Sequence, residues 1–366
     1  MVEKDGAMAA RKQVMTISGI RPDFIRMSEI FSRLDREFEH VLVHSGQHVD
    51  SKLSDVFFKG LRIREPDFNL GIGGPGKLHY HQLAEIAVKS VELIAREKLR
   101  PDLILFLGDS NSVLASIVLK KEGYRIGHIE AGMRSYDARM LEESNRVVCD
   151  HMSDLLFVYH ENYKRNLLKE NIAADKIHVV GNTIVEVARR WMAEVDSRAA
   201  DHILVDIHRP ENFRNAERMR AIVAYLETLA ERSRKPVLWL DFPRTTTFLR
   251  DFGIALPEAF RVTPLMGYLE FLSAQRRSYC MVSDSGTAQE EPAVLGVPVL
   301  VPRDFTERRE SVEAGNSLMI DLALERGDLV RSSIEFVDNF REPANIDWMG
   351  AGDTADRIVS VLKRVL

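Results

Sequence analysis

The sequence predicts an α/β protein built as two doubly wound parallel-sheet domains. Short β-branched runs alternate with amphipathic helical patterns, which is the signature of a parallel sheet with helices on both faces. The alternation restarts at Asp201 after one complete series. A chain of 366 residues is also too long for one ordinary core.

The first series contains "QVMTISG" (13–19), "FEHVLVHSG" (38–46), "PDLILFLGDS" (101–110), "YRIGHIEAG" (124–132), "DLLFVY" (154–159) and "KIHVVGN" (176–182) as strands. Helical spacing fills 23–38 and 77–99 between them. The second series runs through "DHILVDIH" (201–208), a helix at 216–233, "KPVLWLDF" (235–242), "RVTPL" (261–265), "SYCMVSD" (278–284) and "VPVLVPRD" (297–304). A polar helix around 184–200 is expected to bridge the halves, with the boundary near Val180 to Asn182. The pattern "DTADRIVSVLKRVL" (353–366) predicts a last helix that returns to cap the first domain. The expected domains are 1–180 with 352–366, and 181–351.

Composition narrows the function. Apolar content of 45% and charged content of 29% describe a soluble globular protein. A net charge of −5 offers no general affinity for nucleic acid or membranes. The two cysteines, Cys149 and Cys280, make neither a disulfide framework nor a metal-ligand spacing, so no metal and no cofactor is expected. No apolar run reaches the length of a membrane span, and residues 1–12 lack the apolar core of a signal peptide. A cytoplasmic enzyme is the expectation.

In an open α/β sheet ligands bind beyond the carboxyl ends of the strands. Seven such ends carry glycine, charge or both: "GIRPD" (19–23), "SGQH" (45–48), "GDSNS" (108–112), "EAGMR" (130–134), "HRPEN" (208–212), "SDSGTAQEE" (283–291) and "PRDFTERRE" (302–310). Together they suggest a polar cleft between the domains. Each has a structural reading as well. Asp109 or Ser110 could cap a helix, His208 could be a surface histidine, and Arg308 could lie on a solvated face. Glu142 and Glu143 open a helix, where acidic residues are favoured anyway. Ser285 and Gly286 sit at an expected helix start, where free amides and the dipole suit an anion. Glu130 resists such explanation, because it ends an apolar strand and should be partly buried.

These motifs, in this order from about residue 14 onward, resemble the non-hydrolysing UDP-N-acetylglucosamine 2-epimerase family. The resemblance implies a GT-B-like fold, two Rossmann-like domains around a nucleotide-sugar cleft. It implies C2 epimerisation of a UDP-2-acetamido sugar by anti elimination of UDP to a 2-acetamidoglycal and re-addition. On that pattern Asp109, Glu130, Glu142 and His208 fall on the acid/base positions. Arg21 falls on the nucleotide-contacting arginine, Ser285, Gly286 and Thr287 on the diphosphate loop, and Glu291 on the carboxylate that holds the ribose. Arg26, His48, Arg134, Arg209 and Arg308 complete the implied substrate contacts, and a homodimer is the implied assembly. The chain departs from the pattern at Asp23, where Glu is usual, at Arg26 for Lys, at Thr287 for Gly and at Phe242 for His. Residues 56–74 are similar to relatives acting on diacetamido uronic acid nucleotides. A hydrolysing epimerase that releases N-acetylmannosamine, a nucleotide-sugar sensor and a glycosyltransferase remain the alternatives.

Overall fold

The computed structural model describes residues 11–46, 58, 60–74, 78–341 and 344–366. Among them, seven strands make the first sheet: β1 Gln13–Ser18, β2 Glu39–His44, β3 Phe68–Asn69, β4 Leu103–Leu107, β5 Ile126–Ile129, β6 Leu155–Val158 and β7 Ile177–Val179. Their order is β3-β2-β1-β4-β5-β6-β7, with every pairing parallel. Six more make the second sheet: β8 His202–Asp206, β9 Val237–Leu240, β10 Arg261–Thr263, β11 Ser278–Ser283, β12 Val299–Val301 and β13 Ser317–Met319. That order is β10-β9-β8-β11-β12-β13, again all parallel. Central strands are covered on both faces, so β4 reads as the unbroken run LILFL and is buried throughout.

The chain divides into two compact units, Met1–Gly132 with Leu141–Thr183 and Asp353–Leu366, and Met133–Met140 with Ile184–Gly352. In the first, Ile86, Leu93, Leu119 and Cys149 pack on Ile17, Ile104 and Phe106. In the second, Tyr225, Leu226, Leu229 and Val330 cover one face of the sheet, and Ala288 with Phe271 and Leu265 covers the other. The last helix, Thr354–Val365, turns Ala355, Ile358, Val359 and Leu362 inward. It meets the helix Arg21–Glu37, with Arg33 Nε 2.5 Å from Asp356 Oδ1 and Lys363 paired to Glu37.

Some elements differ from the sequence expectation. β3 and β13 are short edge strands that the pattern did not announce. The helix after residue 182 is shorter than expected, Thr183–Met192, and it is not polar: Val185, Val187 and Trp191 are buried. The excursion Met133–Met140 belongs to the second unit, although it lies between two segments of the first. Among the described residues no helix is long and apolar enough to cross a membrane.

Candidate functional site

In each sheet the chain starts in the middle and winds outward both ways. The switch point falls between β1 and β4 in the first sheet, and between β8 and β11 in the second. The loops beyond these strands are where an open α/β sheet presents ligand-binding groups.

At the first switch point the helix after β1 starts at Arg21, with Pro22 in its first turn, where a missing N–H costs nothing. Helical spacing sets Asp23 and Arg26 on one face, with Arg26 Nη2 3.4 Å from Asp23 Oδ1. Glu130 follows β5 with φ of 70°, a left-handed backbone that costs a side chain of this kind about 1–2 kcal/mol. It is 1% exposed, and Arg26 Nη1 donates to its Oε2. A β-carbon added at Gly108 would lie 2.9 Å from Arg26 Nη2, 3.6 Å from Asp23 Oδ1 and 3.8 Å from Glu130 Oε1. The glycine therefore makes room for two carboxyls around one guanidinium. Burial raises Asp23 from 3.8 to about 7, and the charge of Asp109 adds to this against the opposing pull of Arg26 and Ser110.

Asp109, beyond β4, accepts from Arg146 Nη2, whose Nη1 also donates to Glu143 at 2.9 Å. Asn145 Nδ2 donates to the Asp109 carbonyl at 2.8 Å. Glu143, Asn145 and Arg146 all come from the helix Leu141–Met152. Glu142 lies half-buried in the first turn of that helix. Three of the four expected acid/base residues thus lie in the first unit, two at neighbouring strand ends and one on the helix that braces them.

The second switch point carries His208. Its Nδ1 is 2.7 Å from Asp206 Oδ1 and 3.7 Å from Asp284 Oδ1. Its ring lies 4.8 Å from that of Phe242, centroid to centroid. Burial alone would lower the imidazole, but the Asp206 carboxylate, with Asp284 behind it, raises it above its usual value. In the neutral ring Nδ1 donates to Asp206, so Nε2 is left as the proton-accepting nitrogen. Asp284 is wholly buried and accepts the backbone amides of His208 at 2.9 Å and Arg209 at 3.0 Å, together with Asn212 Nδ2 at 2.9 Å.

The expected diphosphate loop differs from the sequence expectation in one respect. Gly286 begins a single 3₁₀ turn, Thr287–Gln289, followed by a four-residue helix, Glu291–Val294. Pro292 has no N–H to bond back to Ala288, so a longer helix cannot run through this point. No extended dipole stands behind Ser285, and its amide donates to Ser283 Oγ at 3.0 Å. A β-carbon at Gly286 would lie 2.4 Å from Glu307 Oε1 and 2.9 Å from Arg308 Nη1. Arg308 is buried between Glu307, at 2.7 Å, and Glu290, at 3.2 Å, so it underlies the loop. Arg303 joins Glu307 at 3.2 Å and Glu211 at 3.1 Å. Glu291 accepts from Tyr268 Oη and Gln275 Nε2, each at 2.6 Å, and burial raises its carboxyl.

Of the remaining expected contacts, Arg26 points its charge at Glu130 and Asp23. Arg134 is buried in the second unit, with Nη1 2.7 Å from the Met133 carbonyl. Arg209 is the N-cap of the helix Pro210–Phe213. Arg21 is half-buried at its helix start. His48 lies outside the described residues.

Sequence reasoning missed the groups that hold the acid/base residues. Asp206 lies two residues before His208, on the same face of an extended chain, and this period was the available signal. Glu143, Arg146 and Asp150 follow helical spacing on one face of their helix, opposite the strand ends. Nothing local pointed to Asp284 as an amide acceptor.

The family description UDP-N-acetylglucosamine 2-epimerase matches residues 32–363. A UDP-N-acetylglucosamine 2-epimerase of Methanococcus maripaludis is 34% identical, over 83% of this chain and 86% of its own. The UDP-2,3-diacetamido-2,3-dideoxy-D-glucuronate 2-epimerase of Pseudomonas aeruginosa is 33% identical, over 85% of this chain and 89% of its own. Among solved structures, Methanocaldococcus jannaschii UDP-GlcNAc 2-epimerase, crystallised with UDP-GlcNAc and UDP, superposes with a TM-score of 0.87 at 32% identity, covering 96% of this chain and 99% of that one. A lipopolysaccharide outer core galactosyltransferase, 12% identical with a TM-score of 0.53, shares the GT-B-like fold alone. A family match along most of its length, with relatives above 30% identity over more than four-fifths of it, shows that the chain belongs to the UDP-N-acetylglucosamine 2-epimerase family of isomerases.

Proposed function

We propose that the protein inverts C2 of a UDP-2-acetamido sugar by elimination and re-addition of UDP. The observation that carries this reading is the placement of the acid/base groups beside the switch point of each sheet: half-buried Asp109 and buried Glu130 at neighbouring strand ends with half-buried Glu142 on the adjoining helix in the first unit, and His208 backed by Asp206 in the second. A C2 proton beside an acetamido group has no adjacent carbonyl to stabilise a carbanion, so simple removal and return is unfavourable. In the proposed route a base takes the C2 proton while the C1–O bond to UDP breaks on the opposite face. The products are UDP and a C1=C2 glycal. A UDP phosphate oxygen then re-forms the C1–O bond, and an acid protonates C2 from the face opposite the original proton. Two faces need separate proton carriers, and carboxylates together with a carboxylate-backed histidine suit that task. Ser285, Gly286, Thr287 and Arg21 are assigned to the diphosphate, and Glu291 to the ribose.

The substrate is UDP-N-acetylglucosamine in this reading. The relative named for a diacetamido glucuronate nucleotide supplies a second sugar to assay. Incubation in deuterated water followed by NMR tests the whole reading. Deuterium at C2 with UDP-N-acetylmannosamine formed is the expected outcome. Free N-acetylmannosamine plus UDP marks a hydrolysing epimerase, and an unchanged spectrum with both sugars sinks the proposal.

A further inference from the structure

His128 lies inside β5 with no exposed surface, and the proposed reaction gives it no proton to move. Its Nε2 is 2.8 Å from the carbonyl oxygen of Gly108, and its Nδ1 is 2.7 Å from Asp150 Oδ1. A carbonyl oxygen and a carboxylate accept only, so both ring nitrogens donate and the ring carries a charge. Burial alone opposes that charge; the Cys149 sulfur and the Asp150 carboxylate beside it reverse the effect and raise the imidazole well above its usual value. The other Asp150 oxygen accepts the Gly132 amide at 3.0 Å.

The bridge therefore runs from Gly108 through His128 and Asp150 to Gly132. Gly108 immediately precedes Asp109, and Gly132 follows Glu130 by two residues. The backbone at Gly108, Glu130 and Gly132 has φ of 73°, 70° and 75°. Backbone bonds still reach these loops, from the Gly108 amide to the Ile129 carbonyl at 3.0 Å and from the Glu130 amide to the Phe157 carbonyl at 3.1 Å. The side-chain link buried beneath them adds a tie at the Gly108 carbonyl and the Gly132 amide and joins the two loops to each other. As a pure stabiliser the link makes little sense, because a buried ion pair gains little over well-packed apolar groups of the same volume.

We propose that His128 and Asp150 are positioning residues, forming one buried bridge that locks the strand ends carrying Asp109 and Glu130 into a single geometry. The inference rests on the acid/base reading of those two carboxylates. A displacement of about 1 Å at a reacting group costs on the order of 10²-fold in rate, so a broken bridge shows in the chemical step and not in nucleotide binding.

Three single variants, one double variant and one control decide it, each assayed at a temperature where circular dichroism shows it fully folded. The readouts are C2 deuterium exchange with UDP-N-acetylglucosamine and UDP affinity by calorimetry. His128→Asn is too short to span the gap, and Asp150→Ala removes the link. Each should slow exchange by about 30- to 100-fold and leave UDP affinity within about twofold. Asp150→Asn should stay within about threefold of the wild type, because its amide oxygen still accepts from Gly132. Its amide nitrogen donates to Nδ1 of a neutral His128, whose Nε2–H still reaches Gly108. Adding His128→Asn to Glu130→Gln should cost clearly less than the 30- to 100-fold it costs alone, since only Asp109 of the two positioned groups is still there to lose. Normal exchange in folded His128→Asn overturns the proposal. If that variant does not fold, Asp150→Asn falling as far as Asp150→Ala overturns it instead. Glu130→Gln alone is the control. If it exchanges C2 normally, the acid/base reading fails and the bridge with it; if it is slow while His128→Asn is normal, the bridge alone fails.

Discussion

Arg26 shares its charge between Glu130 and Asp23, so the two carboxyls are not independent. Glu130→Gln should reduce C2 exchange by about 10²-fold or more, because the amide keeps the shape but neither takes up nor releases a proton near neutral pH. Its thermal stability should fall only slightly. With Glu130 neutral, Asp23 can ionise and pair with Arg26. Removing both carboxylates, in Glu130→Gln with Asp23→Asn, strands a buried guanidinium and should cost about 3–5 kcal/mol, far beyond the sum of the single changes. Urea unfolding of the three variants reads this directly. Asp23 alone makes a second prediction. Its folded pKa, about 7, lies above the ordinary 3.8, so between these values the folded protein holds a proton that the unfolded chain releases. Its contribution to stability is complete below about pH 3.8 and disappears as the pH rises through about 7. Asp23→Asn removes that slope. Its stability relative to wild type should rise by roughly 2 kcal/mol from pH 5 to pH 7. A difference that stays flat across that range would refute the assignment.

At the scale of elements, the loop at Gly286 depends on the buried ion pairs beneath it. Gly286→Ala drives a methyl group into Glu307 and Arg308, which are held from the other side by Arg303 and Glu290. Neither side chain has solvent to move into. Displacing one partner of such a pair should lower the melting temperature and weaken UDP binding at least about tenfold. An alanine variant with wild-type UDP affinity by calorimetry would separate this loop from the nucleotide. The sequence made the alternation of strands and helices legible, because central parallel strands such as β4 are unbroken apolar runs. It also carried the loops beyond β1, β4, β5, β8 and β11, where charge interrupts those runs. It did not carry β3 or β13, two- and three-residue edges that tertiary pairing alone defines. Nor did it carry the partners of the acid/base groups. Arg26 read as a substrate contact and Arg146 carried no assignment, and only the fold turns them onto Glu130 and Asp109. Arg26 and Glu130 stand 104 residues apart, a pairing that no local period reports.

Over the whole molecule, the first unit is assembled from three separate segments of chain, the last of them Asp353–Leu366. The helix Thr354–Val365 buries Ala355, Ile358, Val359 and Leu362, and each apolar side chain larger than alanine contributes about 1.5–3 kcal/mol on burial. Cutting the chain after Gly352 should therefore remove several kcal/mol from the first unit and leave the second, all of whose segments precede the cut, intact. Differential scanning calorimetry should show one transition lost or moved far down and one retained; two unchanged transitions would show the helix to be dispensable. The same arrangement has a consequence during synthesis. Arg33 and Asp356, which pair across the two helices, are 323 positions apart, and everything in the second unit after Thr183 is translated between them and the rest of the first sheet. At about 5–20 residues per second, a ribosome needs roughly 10–35 s to pass from Thr183 to the closing helix. For that interval the nascent first unit lacks the helix that packs beside Arg21–Glu37, and the surface that Ala355, Ile358, Val359 and Leu362 cover stays open. The second unit, continuous from Ile184 onward, can finish folding before the unit that was begun first, and the waiting surface is a site for a chaperone to occupy.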